Sequence, residues 1–261
     1  MRLSGYWGVC ASLAIVAVPA ALLLFGFTPD STESKQPRID ATSQPAVSIY
    51  EAAVAATVSI EVEGDVIGTG FVVESRGTKY VWTAGHCVPS QELCPQCGIV
   101  HTIRISKPVL CEGVEVGRIF AEVKVVRVDY EWDLALLEIT SPFPVASTHF
   151  AYRPEVRIGD PIFTVGNALG DAYEYSLFFG HVSRLHDNGE PLWTHDLTRA
   201  DITAMPGCSG AGVFNAEGKV IGILVGGLRG SDNLMLFVPV ADIEAWARLN
   251  DLRFAVYQPL W

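Results

Sequence analysis

The sequence has no cluster of Lys or Arg, and its 18 basic residues are outnumbered by 29 acidic ones, for a formal net charge of -11. A nucleic-acid partner is therefore disfavoured, because a phosphate backbone is met by a basic patch. The acidity serves solubility. No internal repeat stands out, which excludes solenoids and propeller arrays. Low hydrophobicity is also missing: hydrophobic residues make up 49% of the chain and charged residues 18%. That composition belongs to a folded, core-forming chain rather than a disordered one.

Charge is absent altogether from one stretch. After Arg2 no charged residue occurs until Asp30, and the interval holds Leu13, Ile15, Val16, Leu22, Leu23, Leu24 and Phe25. At about 1.5 Å of rise per residue, about 20 helical residues cross the apolar layer of a membrane. The length favours a retained signal anchor over residues 1–29; a cleaved signal peptide, with its shorter apolar core, is the alternative. Either way the remainder is exported, and Arg2 favours a cytoplasmic N-terminus. Residues 30–47, dominated by Ser, Thr, Pro, Gln and charge, read as a linker. Residues 48–261 are then one exported domain.

That domain opens on a short helix, 48–56, with Ser48 as N-cap and Glu51 as its capping-box partner. Runs rich in Val, Ile, Phe and Tyr follow at 57–62, 66–73, 79–83, 99–105, 114–128, 134–139, 161–165, 175–184, 211–214 and 219–225. Gly, Asp, Asn and Pro separate them, the pattern of an all-β sandwich or barrel. Residues 241–249 fit a second helix, with Ile243, Trp246, Ala247 and Leu249 on one side.

Three segments carry chemistry: VWTAGHCV at 81–88, YEWDLALLEI at 130–139 and ITAMPGCSGAGVFN at 202–215. A Ser hydroxyl is a poor nucleophile at neutral pH. It needs an imidazole to take its proton, and the imidazole needs a carboxylate on its other nitrogen. One His, one Asp and one Ser, each in a turn at a strand end, supply those parts.

The three segments resemble the chymotrypsin-like serine proteases, in that family's order of His, Asp and Ser. The nearer resemblance is to HtrA-type proteases, through Gly68-Thr69-Gly70-Phe71-Val72-Val73, Arg157-Ile158-Gly159-Asp160, Thr164-Val165-Gly166-Asn167-Ala168-Leu169-Gly170 and Lys219-Val220-Ile221-Gly222-Ile223. The resemblance implies two six-stranded antiparallel β-barrels with short N- and C-terminal helices, and a serine endopeptidase acting on protein or peptide substrates without a cofactor or metal. It implies Ser209 as nucleophile, His86 as general base and acid, and Asp133 as its orienting carboxylate. Asp129 and Glu131 are neighbouring competitors, but the apolar run after Asp133 fits the motif best. The oxyanion hole falls to the amides of Gly207 and Ser209, and the substrate-binding residues to Thr203, Met205, Val225, Gly226 and Gly227.

Departures from the pattern qualify those expectations. Cys208 replaces the Asp that receives a freed N-terminus in secreted digestive relatives, so that activation route is not expected. No C-terminal PDZ module is expected, nor peptide sensing through one. Thr203 stands where a trypsin-like enzyme keeps a carboxylate, so a small or medium apolar residue before the cleaved bond is expected. Many HtrA-type proteases are trimers, which leaves a homo-oligomer open. A catalytically silent or gated binding module on the same fold is the alternative function.

Six cysteines occur. Cys10 lies in the anchor. Cys87, Cys94, Cys97 and Cys111 form either two disulfides or a four-thiolate zinc site, and the exported setting favours disulfides. Cys208 is left over, as a packed free thiol.

Overall fold

In a computed structural model, residues 48–89, 102–112, 114–187, 195–228, 230, 231 and 233–257 are described. All lie in one unit, Pro45–Trp261. Among them no helix is long and apolar enough to cross a membrane. The expected anchor (1–29) and linker up to residue 47 lie outside the described residues, as do Cys94 and Cys97.

Among the described residues, twelve strands form two closed six-stranded antiparallel barrels. The first contains β1 (Thr57–Val62), β2 (Asp65–Ser75), β3 (Thr78–Ala84), β4 (Ile103–Cys111), β5 (Val114–Asp129) and β6 (Leu134–Ile139), paired in the order β1-β2-β3-β6-β5-β4. The second contains β7 (Pro161–Ala168), β8 (Tyr173–Asp187), β9 (Leu197–Asp201), β10 (Gly212–Asn215), β11 (Val220–Gly227) and β12 (Leu234–Pro239), in the order β10-β11-β12-β9-β8-β7. Closure pairs both edges of each sheet, leaving free edges only where a strand runs on past its partner, as β4 does beyond Ser106 and β11 beyond Ile223.

Strands β9 and β12 carry no clear sequence signal. LTRAD is short and mixed, and LMLFVP is apolar without alternation. Both join the second barrel by pairing with each other, Leu234 opposite Asp201 through Phe237 opposite Thr198. Strand β4 runs on to Cys111, well past the expected end at 105. Its pairing with β1 stops at Ser106, so Pro108 faces a partner, β5, on one side alone. A strand tolerates proline there because no ladder donor is lost.

Helix α1 (Ile49–Ala56) is capped by Ser48, whose hydroxyl accepts from Glu51 N at 3.2 Å while Glu51 Oε2 accepts from Ser48 N at 2.8 Å. Helix α2 (Val240–Leu249) follows β12 directly and returns the chain to the first barrel. Its Trp246 ring meets Trp82 of β3 edge to face at 5.7 Å. Ile243, Trp246 and Ala247 are buried there; Leu249, expected on the same side, is 78% exposed, because at about 3.6 residues per turn it falls off the face that those three share.

Candidate active site

Strand β3 ends in a single 3-10 turn, Gly85–Cys87, that carries His86. Gly85 is required by space: a Cβ there would lie 2.7 Å from Asp129 O and 3.1 Å from Leu134 N. The tight turn brings His86 against Asp133, at the start of β6. His86 N donates to Asp133 Oδ1 at 2.8 Å, and His86 Nδ1 lies 2.8 Å from Oδ2 and 3.0 Å from Oδ1. Asp133 is buried and held at φ +50, the left-handed region that non-glycine residues seldom occupy. Such strain persists where surrounding contacts over-determine it, and it is common at functional sites.

The two neighbouring carboxylates have other placements. Asp129 Oδ1 accepts from Glu131 N at 3.0 Å and Trp132 N at 3.1 Å, closing the turn, and Oδ2 accepts from Trp246 Nε1 at 2.9 Å. Glu131 is exposed on that turn. The Asp133 carboxylate beside Nδ1 raises the His86 pKa above its ordinary 6.5; Cys87 acts in the same direction and burial opposes both.

Ser209 stands in the turn between β9 and β10. Gly207 has φ +96 and Gly210 φ +86. Space also demands glycine at both. A Cβ on Gly207 would lie 2.0 Å from Asn167 O, and one on Gly210 2.1 Å from Thr83 Oγ1. The peptide planes of this turn are fixed one after another. Pro206 O accepts from Leu169 N at 2.7 Å, which sets the direction of the Gly207 amide in the same plane. Cys208 O accepts from Ala211 N at 3.0 Å and so sets the Ser209 amide. Cys208 N donates to Met205 O at 3.0 Å, and Gly210 N to Leu224 O at 2.7 Å. Among the described residues, the amides of Gly207 and Ser209 donate to no protein acceptor. Two such donors in one turn suit a developing oxyanion.

His86 and Ser209 line one cavity of about 700 Å³ together with Thr203, Met205, Val225, Gly226 and Gly227. Asp133 lies behind His86, and Gly207 is outside the lining. Among the described residues, no carboxylate lines the cavity. Thr203 Oγ1 is 3.2 Å from Asn233 Oδ1, and Asp201 Oδ1 accepts from His181 N, which turns it to a different neighbour. Leu169, Ala204, Pro206, Leu228, Ser231 and Met235 also line the cavity and escaped the sequence reading, and Leu224 lines it beside Val225. Met235 comes from β12, the strand without a sequence signal. A Cβ on Gly227 would meet its Sδ at 3.3 Å, so Met235 packs against that wall. Leu169 had a signal in the glycines that flank its loop, and it sits at φ +57.

Cys87, Cys111 and Cys208 are free thiols. This corrects the expected disulfides at Cys87 and Cys111; the rest of that expectation, and the zinc alternative, depend on Cys94 and Cys97 and lie outside the described residues. Cys87 Sγ is buried under the nucleophile turn, 3.6 Å from Ser209 O, whereas Cys111 is exposed at the end of the β4–β5 hairpin. Burial raises the Cys208 pKa, so it stays a packed, inert thiol.

The family description of the trypsin-like peptidase domain matches residues 68–223. The serine protease Do-like HtrB of Bacillus subtilis is 30% identical over 128 residues, covering 46% of this chain and 28% of that protein. An HtrA-like serine protease of Staphylococcus aureus is 28% identical over 193 residues, covering 69% of this chain and 23% of that one. The chain thus spans under a third of the length of both relatives. In fold it resembles the crystal structure of Rv3671c from M. tuberculosis, with a TM-score of 0.59 at 18% identity over 85% of this chain and 98% of that one.

Proposed function

The chain belongs to the trypsin-like peptidase family, and from that premise we propose that it is a serine endopeptidase working through His86, Asp133 and Ser209. The observation that carries this is the buried Asp133 carboxylate gripping His86 while His86 and Ser209 share one cavity. In this mechanism Ser209 Oγ attacks the substrate carbonyl and His86 Nε2 takes its proton. Asp133 holds the proton on Nδ1 and balances the imidazolium. The amides of Gly207 and Ser209 bind the oxyanion; a donor of this kind is worth about 2.7–4 kcal/mol of barrier. Collapse breaks the peptide bond, with the His86 proton passing to the leaving amine and an acyl group left on Ser209. Water, deprotonated by His86, then releases the acid and restores the hydroxyl.

The substrate is a protein or peptide. The Leu224–Gly227 segment pairs with its backbone as an added strand. Met205, Val225 and Met235, apolar residues on the described wall of the cavity, select an apolar side chain of small or medium size before the cleaved bond. The uncharged stretch between Arg2 and Asp30 supports an anchored protein whose catalytic domain acts outside the cytoplasmic membrane. A panel of peptides differing only at that side chain tests the reading. Cleavage after Ala, Val or Leu, absent after Arg and Lys and lost in Ser209→Ala, is the expected result. Cleavage that survives Ser209→Ala overturns the assignment.

A further inference from the structure

We propose that Thr69 is a positioning residue for the oxyanion turn, acting through its side-chain hydroxyl. The inference rests on the serine protease reading and deepens it. Thr69 lies in β2 of the first barrel and is fully buried, yet every polar group it has points at the second barrel or at the strand beside it. Its amide donates to Ser209 O at 2.8 Å, and its carbonyl accepts from Thr83 Oγ1 at 2.7 Å. Its hydroxyl donates to Gly207 O at 2.7 Å and accepts from Asn167 N at 2.9 Å. A hydroxyl has one proton, so its donation to Gly207 and its acceptance from Asn167 fix each other's direction.

The geometry explains why that bond matters. The Gly207 carbonyl and the Cys208 amide share one peptide plane, which joins the planes carrying the two oxyanion donors. Its amide side is held by Met205 O and its carbonyl side by Thr69. Without the hydroxyl, that plane keeps only its bond to Met205 O, and glycine at 207 lets it and the flanking amides shift more easily. Asn167 braces the arrangement from behind. Its Nδ2 donates to Gly68 O at 3.1 Å, and its Oδ1 accepts from Tyr175 N at 3.2 Å. Tyr175 is itself at φ +55, a strained position flanking the same loop.

The test compares Thr69→Val, which keeps the shape and loses the hydroxyl, with Thr69→Ser, which keeps the hydroxyl. Two readouts are taken: steady-state peptide hydrolysis, and hydrogen exchange of the 205–210 amides. Misplaced oxyanion donors slow the chemical step, so Thr69→Val is expected to lower kcat about 10- to 100-fold with KM nearly unchanged. Exchange over 205–210 rises, and Thr69→Ser stays within about threefold of the parent kcat. If Thr69→Val is poorly folded, Thr69→Ala takes its place in the same comparison. Equal kcat in the Val and Ser variants overturns the inference, as does unchanged exchange in the Val variant. A parent chain that hydrolyses nothing would sink the protease reading alone, because the exchange comparison needs no catalysis.

Discussion

At the residue scale, the proposed mechanism makes His86 and Asp133 the residues that set the pH response. The raised His86 pKa follows first from its hydrogen bonds to Asp133. In the proposed mechanism the base form of His86 is the active one, so kcat/KM is expected to rise with pH and to reach half its maximum above pH 6.5. Asp133→Asn removes the charge that raises the pKa. Its acid limb moves to lower pH, and kcat falls by about 10⁴ because the tautomer is no longer held. A pH–rate profile of both proteins checks this; an unmoved limb would contradict it. Stability runs in the opposite sense. A group whose pKa is raised on folding stabilises the fold fully below its unfolded pKa, and that contribution is lost as pH rises through the folded value. The His86–Asp133 pair therefore stabilises the fold most below pH 6.5. The three residues of the proposed triad stood out in the sequence because each sits in a short local motif, TAGHC, DLALL or GCSG. Thr69 was visible only as part of a family-like strand, since its partner Gly207 is 138 residues away.

At the element scale, helix α2 belongs to the site as much as to the core. Trp246 packs on Trp82 and also donates to Asp129, whose other oxygen closes the turn that presents Asp133. Trp246→Phe keeps most of the ring packing and strands the Asp129 oxygen. A cost of about 1–3 kcal/mol is expected in chemical unfolding, with a loss of kcat that Trp82→Phe does not reproduce. Equal kcat in the two variants would separate α2 from the catalytic turn. The sequence showed α2 through its helical period and α1 through its Ser48–Glu51 box, because those signals are local. It did not show β9 and β12. Their place depends on pairing with each other inside a closed barrel, which neither alternation nor turn residues in LTRAD or LMLFVP announce. The same long-range pairing brings Met235 to the cavity wall.

At the scale of the whole molecule, the candidate site is divided between barrels. His86 and Asp133 come from the first, Ser209 and the Gly207–Gly210 turn from the second, so the proposed catalysis requires the barrels to dock correctly. Thr69 is one clamp. Glu174 of β8 is another: its buried carboxylate accepts from Ser59 of β1 at 2.7 Å and pairs with Arg118 of β5. A buried pair of this kind costs desolvation, and breaking it leaves an uncompensated charge, so it specifies the docking more than it adds stability. The measurement that bears most directly on an assembled site is reaction of residues 40–261 with a fluorophosphonate probe, the adduct being located by mass spectrometry. The account predicts a single adduct on Ser209, absent in Ser209→Ala and in His86→Ala. A folded protein that takes no label on Ser209, or labels equally without His86, would contradict it.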